Sequence, residues 1–171
     1  MFVLGVDPGL SRCGYGLVGA TGGANVPGAL EAVAAGVIET DPAAPLPERL
    51  RILRDELRTL MAEHRPDVVA VERVFFQVNA RTAMSVGQAS GLALAEAAAA
   101  GCEVAQYTAN EVKQALAGWG AADKGQVRRM VAAVLGVASV PGPSDVADAL
   151  ALAVCHHFGA PVRRAVAEAR R

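Results

Sequence analysis

The sequence predicts an α/β domain whose sheet combines antiparallel and parallel strands. Three strand-like segments come first, and helical and strand-like segments then alternate before the chain ends in helices. Hydrophobic residues make up 53% of the chain and aromatic residues only 4%, so alanine supplies much of the core and favours closely packed helices. With 171 residues, the chain is long enough for one domain with a core of its own.

The first half of the chain is predicted from apolar runs and their spacing. FVLGV reads as a buried strand, GYGLVG as its hairpin partner, and LEAVAAGVIE as a third strand after a glycine-rich loop. Leucines then recur at steps of three and four from residue 46, which is typical of an amphipathic helix. Pro66 ends that helix because a proline disfavours helical backbone at the preceding residue.

The second half alternates between helix and strand. VVAVE (68–72) and CEVAQY (102–107) read as strands on either side of a long Ala-, Gly- and Ser-rich helix, and three helical stretches follow at about 109–117, 124–135 and 144–157. Helical crossovers allow these strands to lie parallel. The prediction is a five-stranded mixed sheet with an antiparallel hairpin edge, flanked by helices. Residues 1–158 form one domain, and 159–171 a basic, flexible tail.

Composition excludes several classes of protein. No uncharged apolar run reaches 18 residues, so no membrane span is expected, and no secretory signal follows Met1. Three scattered cysteines predict free thiols and a cytoplasmic protein. Residues 1–72 carry a net charge of −4 and residues 73–171 one of +3, which together give the chain's −1. A basic surface in the second half is therefore compatible with a nearly neutral chain.

Four acidic residues stand at the ends of predicted elements. Asp7 ends the first strand and Glu72 the fourth, and the carboxyl ends of neighbouring parallel strands share the edge where open α/β sheets bind ligands. Asp145 and Asp148 lie at i and i+3 in a helix for which Ser144 is a suitable N-cap. Packing this helix on the sheet would direct both aspartates toward the strand-end acids.

Four carboxylates in one place repel each other and lose water, which hard divalent cations can offset. Oxygen ligands suit Mg²⁺ or Mn²⁺, and two such ions can activate a water and stabilise the leaving oxygen of a phosphodiester. Each acid alone also has a structural explanation: a turn at Asp7, the helix dipole at Asp145, and an ion pair of Glu72 with Arg73 or Arg81. Taken together, they favour a metal site.

Other motifs predict less. Gly9 and Gly14 match the start of a phosphate loop, but Tyr15-Gly16 stands where lysine and Ser/Thr are required. The Cys-His-His run at 155–157 is a poor chelate and is interpreted as a helix end. Trp119, in the tight Gly-Trp-Gly connection, is interpreted as a packing residue.

Several segments together resemble the RuvC family of Holliday junction resolvases, over roughly residues 3–157. They are GVDPGLSRCGYG, AVERVFFQVNARTA, VGQASG, EVKQALAGWGAADKGQV and DVADALALA. The resemblance implies a ribonuclease-H-like fold, a homodimer, and cleavage of four-way junction DNA that depends on two Mg²⁺ ions per subunit, with Mn²⁺ as a substitute. It makes Asp7, Glu72, Asp145 and Asp148 the catalytic, metal-binding acids, and it implies the branch-migration proteins RuvA and RuvB as partners.

The resemblance also suggests which residues contact DNA. Lys113 and Lys124 match basic residues near DNA, and Phe75 matches an aromatic that contacts bases, while Arg81 and Arg128 are further candidates. From the residues themselves, Asp123 caps a helix with Gln126, which puts Lys124 at a helix start that favours phosphate. An ordinary solvated lysine at 124 and a core role for the Phe75-Phe76 pair remain the alternatives.

Two other functions compete with a nuclease. The Asp-x-Gly turn after a first strand also occurs in actin-like and sugar-kinase ATP enzymes, but these need a second domain and further phosphate loops. A non-catalytic junction-binding module is the other alternative, although acids near phosphates do not help a protein that only binds DNA.

Overall fold

The computed structural model describes residues 1–20, 30–73 and 80–169, and of residues 80–82 and 160–169 it describes the backbone alone. Within these ranges the chain forms five strands and five helices. The strands are β1 (Phe2–Asp7), β2 (Arg12–Ala20), β3 (Leu30–Glu39), β4 (Val68–Glu72) and β5 (Glu103–Tyr107). The helices are α1 (Leu46–His64), α2 (Ala80–Ala99), α3 (Ala109–Ala117), α4 (Lys124–Val134) and α5 (Ser144–Ala169).

The five strands form one mixed sheet in the order β3-β2-β1-β4-β5. The pairs β1–β2 and β2–β3 are antiparallel, whereas β1–β4 and β4–β5 are parallel. The prediction of a hairpin edge followed by parallel crossovers is therefore confirmed. Because β1 and β4 are neighbouring parallel strands, their carboxyl ends lie side by side.

Helices cover both faces of the sheet, and alternation along the strands separates two cores. In β1, Leu4 and Val6 pack with α1 and α2, whereas Val3 packs with α3, α4 and α5. In β4, Val69 and Val71 face the first of these layers. This period of two makes the sheet the middle of three layers.

Helix α5 packs closely on the sheet because glycines line the part of β1 and β2 that it covers. This glycine-lined surface, formed by Gly5 and Gly14, is the seat of α5. A Cβ at Gly5 would lie 1.9 Å from the backbone oxygen of Ala149, and one at Gly14 would lie 2.2 Å from that of Asp145. Any larger residue would therefore push α5 away from β1 and β2. The glycines of the first hairpin bring the start of α5 down to the ends of the strands.

Two expectations about α5 are wrong. The predicted end at residue 157 falls inside the helix, which continues to Ala169, so the proposed domain boundary at 158 lies within α5. His156 and His157 are 2% and 1% exposed and lie within the helix rather than at its end. His157 Nε2 is 3.1 Å from the carbonyl oxygen of Val18, which holds this part of α5 on the sheet.

Trp119 is also not a packing residue, since 53% of it is exposed. The other local predictions for this region are confirmed. Asp123 and Gln126 form the expected capping box, and Lys124 is the first residue of α4. The three cysteines form no disulfide with one another. Among the described residues, no helix is long and apolar enough to cross a membrane.

Candidate functional site

The strand-end acids face the layer that contains α5. Val3 and Gly5 point toward this layer, so alternation along β1 directs Asp7 the same way. In β4, Val68 and Ala70 belong to the same core, which directs Glu72 to the same side. The register of Val6 with Val71 then places both acids at one edge of the sheet.

Helix α5 supplies the other two predicted acids. Asp148 lines a cleft of about 150 Å³ together with Asp7 and Glu72. Asp145 lies one turn earlier, where its backbone rests on Gly14, the partner of Asp7 in the β1–β2 ladder. Its charge acts on Asp7 as well. The structure therefore brings Asp7, Glu72 and Asp148 to one cleft, although they are up to 141 positions apart in the chain, and places Asp145 near Asp7 but outside the cleft lining.

Asp7 and Glu72 form no ion pair within the described residues, although the positive charge of Lys124 acts on both. Burial raises the pKa of Asp7 from 3.8 to about 8, with further contributions from the charge of Glu72, a hydrogen bond with Glu72, and the charges of Asp148 and Asp145. Asp7 therefore keeps its proton to a higher pH than an exposed aspartate does. Of the two predicted ion-pair partners of Glu72, Arg73 forms no ion pair with it, and the side chain of Arg81 lies outside the described residues.

Each helix acid instead has a basic partner from another element. Arg12 Nε lies 3.4 Å from Asp145 Oδ2, and the same guanidinium donates to Glu39 at 2.8 Å. Lys124 Nζ lies 2.8 Å from Asp148 Oδ2, and this hydrogen bond raises the pKa of Lys124. Asp145 and Asp148 are only 25% and 33% exposed, so these pairs are partly shielded from water.

The four acids are not arranged as a preformed metal-binding site. Within residues 1–20, 30–73 and 80–169, no three His, Cys, Asp or Glu side chains are grouped so that they could hold one metal ion. The ion pairs give the physical reason, because Arg12 and Lys124 hold the helix acids while the strand acids bond to each other. The site has the charge and donor chemistry for a hard cation, but its ligands are held by other partners.

The predicted DNA contacts divide into three groups. Lys113 and Lys124 both line the cleft with the acids. Arg128 does not line it: its guanidinium donates to the carbonyl oxygens of Val140 (2.5 Å) and Gly142 (3.0 Å), which fixes the loop before α5. Phe75 lies outside the described residues, and so does the side chain of Arg81.

Two contacts near the site were not predicted. Arg12 follows the Asp-Pro-Gly turn, and nothing in its local sequence indicates a partner 133 residues away. Tyr107, the register partner of Glu72, has its hydroxyl 2.9 Å from His156 Nδ1. His156 lies two turns after Asp148 on α5, so this contact joins β5 to the helix that carries Asp145 and Asp148. The sequence signal for this contact was a histidine in an otherwise apolar stretch of the predicted helix, eight residues after Asp148.

Comparison with known proteins identifies the family of this chain. Residues 3–156 match the family model described as "Crossover junction endodeoxyribonuclease RuvC". The chain belongs to the RuvC family. A relative named crossover junction endodeoxyribonuclease RuvC from Salinispora arenicola (strain CNS-205) is 50% identical over 170 residues, which cover 99% of this chain and 94% of that protein.

Solved structures of RuvC proteins extend the comparison to the fold. The Thermus thermophilus RuvC structure superposes with a TM-score of 0.88 at 38% identity and covers 95% of this chain and 97% of its own. T. thermophilus RuvC in complex with a Holliday junction substrate gives the same TM-score and identity, with 95% and 96% covered. The ribonuclease-H-like fold implied by the RuvC resemblance is thus confirmed.

Proposed function

We propose that this RuvC-family protein is a structure-selective endonuclease that resolves Holliday junctions in recombination and DNA repair. The observation that carries the proposal is the cleft in which Asp7, Glu72 and Asp148 meet Lys113 and Lys124. Carboxylates suit a cationic cofactor, and the lysines beside them suit the phosphates of a nucleic acid. The T. thermophilus relative solved with a Holliday junction substrate supports four-way DNA as the substrate.

The residues of the cleft fit a hard divalent cation. All four predicted ligands are carboxylates, and the pKa of about 8 at Asp7 reflects a buried negative charge that a cation would neutralise. Asp7, Glu72, Asp145 and Asp148 would hold two Mg²⁺ ions per subunit, with Mn²⁺ as a substitute. When bound, these ions would supply an activated water and stabilise the departing 3′ oxygen, leaving a 5′ phosphate and a 3′ hydroxyl.

The protein's own groups prepare this site. Because its pKa is raised, Asp7 would have to lose its proton before it could bind a cation. Lys124, the first residue of α4, is 77% exposed at its side chain and can leave Asp148 for a phosphate of the DNA. The same movement frees Asp148 as a ligand. Lys113 on α3 holds a second phosphate across the cleft.

Paired cuts require two such sites, and we propose a homodimer because a two-fold enzyme matches a two-fold junction. Helix α2 offers an unoccupied face: Met84 is 68% exposed, and Cβ atoms built at Gly87 and Gly91 meet nothing within 4 Å. Positions 84, 87 and 91 share one side of the helix. Gly87→Arg is expected to yield monomers in analytical ultracentrifugation, and an unchanged dimer would exclude this face.

RuvA and RuvB are the proposed protein partners. Co-purification of the dimer with RuvA, RuvB and junction DNA would support this assignment. No co-purification on a junction that each protein binds alone would contradict it.

The test of the function uses a synthetic four-way junction and a duplex of the same sequence. With Mg²⁺ or Mn²⁺ we expect paired symmetric nicks in the junction, products that DNA ligase can seal, and no cleavage in EDTA. Equal cleavage of the duplex would contradict structure selectivity. Binding of the junction without cleavage in either metal would instead support a non-catalytic module, and tight binding of ATP would revive the kinase-like alternative.

A further inference from the structure

We infer that Trp119 is a DNA contact that stacks on an unpaired base of a junction held in the cleft; this inference rests on the proposed function. An exposed indole is unusual in a chain with so few aromatics, and Trp119 is the chain's single tryptophan. Its exposed fraction of 53% exceeds that of Phe2, the other aromatic among the large exposed apolar side chains of the described residues. Water contact at such a surface carries a hydrophobic cost that a partner would remove.

The turn that carries Trp119 is fixed on both sides. Gly118 ends α3 with φ of 77°, and its N–H donates to the carbonyl oxygen of Gln114. A Cβ at Gly120 would lie 2.0 Å from Asn110 Oδ1, so the backbone after Trp119 rests directly on the Asn110 side chain. Ala122, which follows, is buried. These contacts restrain the backbone on both sides of the indole, which reduces the entropy lost when it binds.

The same contact places the turn beside the cleft. Asn110 lies in the first turn of α3, next to Ala109, which lines the cleft with the acids. The chain thus folds back from the end of α3 toward its beginning before α4 starts at Lys124. Trp119 lies between the two lysines in sequence, and its neighbour Gly120 rests on Asn110, the residue after the cleft-lining Ala109.

Charge selects DNA as the occupant of this surface. Lys113 and Lys124 line the cleft on the two helices that the turn connects, so DNA held by both lysines would extend over the turn. A flat indole at that position offers a surface for a base that has lost its stacking partner, which a junction supplies and a continuous duplex does not.

Intrinsic fluorescence tests the inference directly, because all tryptophan emission comes from Trp119. The dimer is titrated with a four-way junction in EDTA, so that no cleavage occurs. We expect quenching of the emission, protection of the indole from acrylamide, and smaller changes with duplex of the same sequence. A mobility-shift assay on the same samples reports binding independently.

Substitution supplies the second measurement. Trp119→Ala is expected to weaken junction binding roughly 5- to 100-fold with an unchanged salt dependence, and Trp119→Phe to retain most of the affinity. Phe2→Ala is the matched control, since Phe2 is 45% exposed at the opposite end of β1 from Asp7 and should leave binding unchanged. Thermal melting checks that each variant is folded.

The outcomes separate the inference from the proposed function. Tight junction binding with unchanged emission and full affinity of Trp119→Ala would overturn the inference and leave the function intact. Equal losses on junction and duplex would overturn stacking on an unpaired base, and a change of oligomeric state in Trp119→Ala would indicate a second copy as the partner instead. Absence of junction binding by the unsubstituted protein would overturn both.

Discussion

The two pairs of acids differ in how the protein balances their charge. Asp7 and Glu72 stand on adjacent parallel strands and form no ion pair within the described residues, although the charge of Lys124 acts on both. Asp145 and Asp148 stand on a helix, and each contacts a cation from a distant element. The strands fix the first pair through the sheet, whereas the helix pair depends on how α5 is seated. In the proposed function, the strand pair would favour binding of a cation, and the helix pair would have to leave Arg12 and Lys124 to bind it.

The largest expected effect is the loss of a strand acid. Asp7→Asn or Glu72→Gln should reduce junction cleavage roughly 10³-fold or more, since the lost charge stabilises the transition state through the bound cation, while junction binding is retained. Glu63→Gln is a matched control on the exposed side of α1. Gel-based cleavage and mobility-shift assays give the two readouts. Unfolding of both strand-acid variants would show instead that these acids are structural.

The second prediction concerns pH and the strand pair alone. Because the pKa of Asp7 is about 8 in the folded protein and 3.8 is its ordinary value, the unfolded chain releases this proton first as pH rises. The metal-free protein should therefore lose stability from about pH 4 to pH 8. Mg²⁺ should raise the melting temperature more at pH 9 than at pH 5. Asp7→Asn should flatten this pH dependence in EDTA, and an unchanged slope would contradict the assignment.

A third change moves the helix pair without altering any carboxylate. Gly14→Ala adds a Cβ 2.2 Å from the backbone oxygen of Asp145, so the first turn of α5 must shift. We expect a destabilisation of about 1–3 kcal/mol, or roughly 2–12 °C in melting temperature, and a fall in cleavage. The pH dependence due to Asp7 should remain. Full cleavage activity in this variant would show that the position of α5 on Gly14 does not determine the geometry of the site.

The fourth prediction separates a phosphate contact from a charge partner. Lys124→Ala should weaken junction binding and reduce the slope of its salt dependence by about one phosphate. It should also lower the Mg²⁺ concentration needed to stabilise the protein, because Asp148 no longer has a competing cation. Arg51→Ala, which removes an exposed arginine paired with Asp55 on α1, is the control for charge alone. Equal salt slopes for both variants would contradict the phosphate contact.

The smallest effect is expected at Arg12. Arg12→Gln removes two partly exposed ion pairs, with Glu39 and Asp145, which are each worth about 0.2–1 kcal/mol. The melting temperature should fall by only a few degrees, and the Mg²⁺ requirement should again decrease. A large loss of stability would show that Arg12 fixes α5 rather than balancing the charge of Asp145.

Local sequence patterns predicted most of the strands and helices, because the signals for these elements come from residues close together in the chain. Apolar runs gave the five strands, leucine spacing gave α1, and the Asp123–Gln126 box gave the start of α4. The end of α5 was wrong by twelve residues, since tertiary packing and not local sequence decides how far a helix continues. The exposure of Trp119 was wrong for a similar reason: the direction of a turn depends on what lies beneath it, here Asn110.

The sequence by itself determined the order of the elements, the position of an acid at the end of each of two strands, and, through alternation, the face toward which those acids point. Only the tertiary structure decided that α5 lies in the glycine-lined seat, that Arg12 reaches Asp145, and that Tyr107 contacts His156. The physical reason is the separation along the chain of the residues that interact. Strand and helix periods arise from neighbours along the chain, whereas these contacts join residues 49 or more positions apart and exist only once the layers are packed.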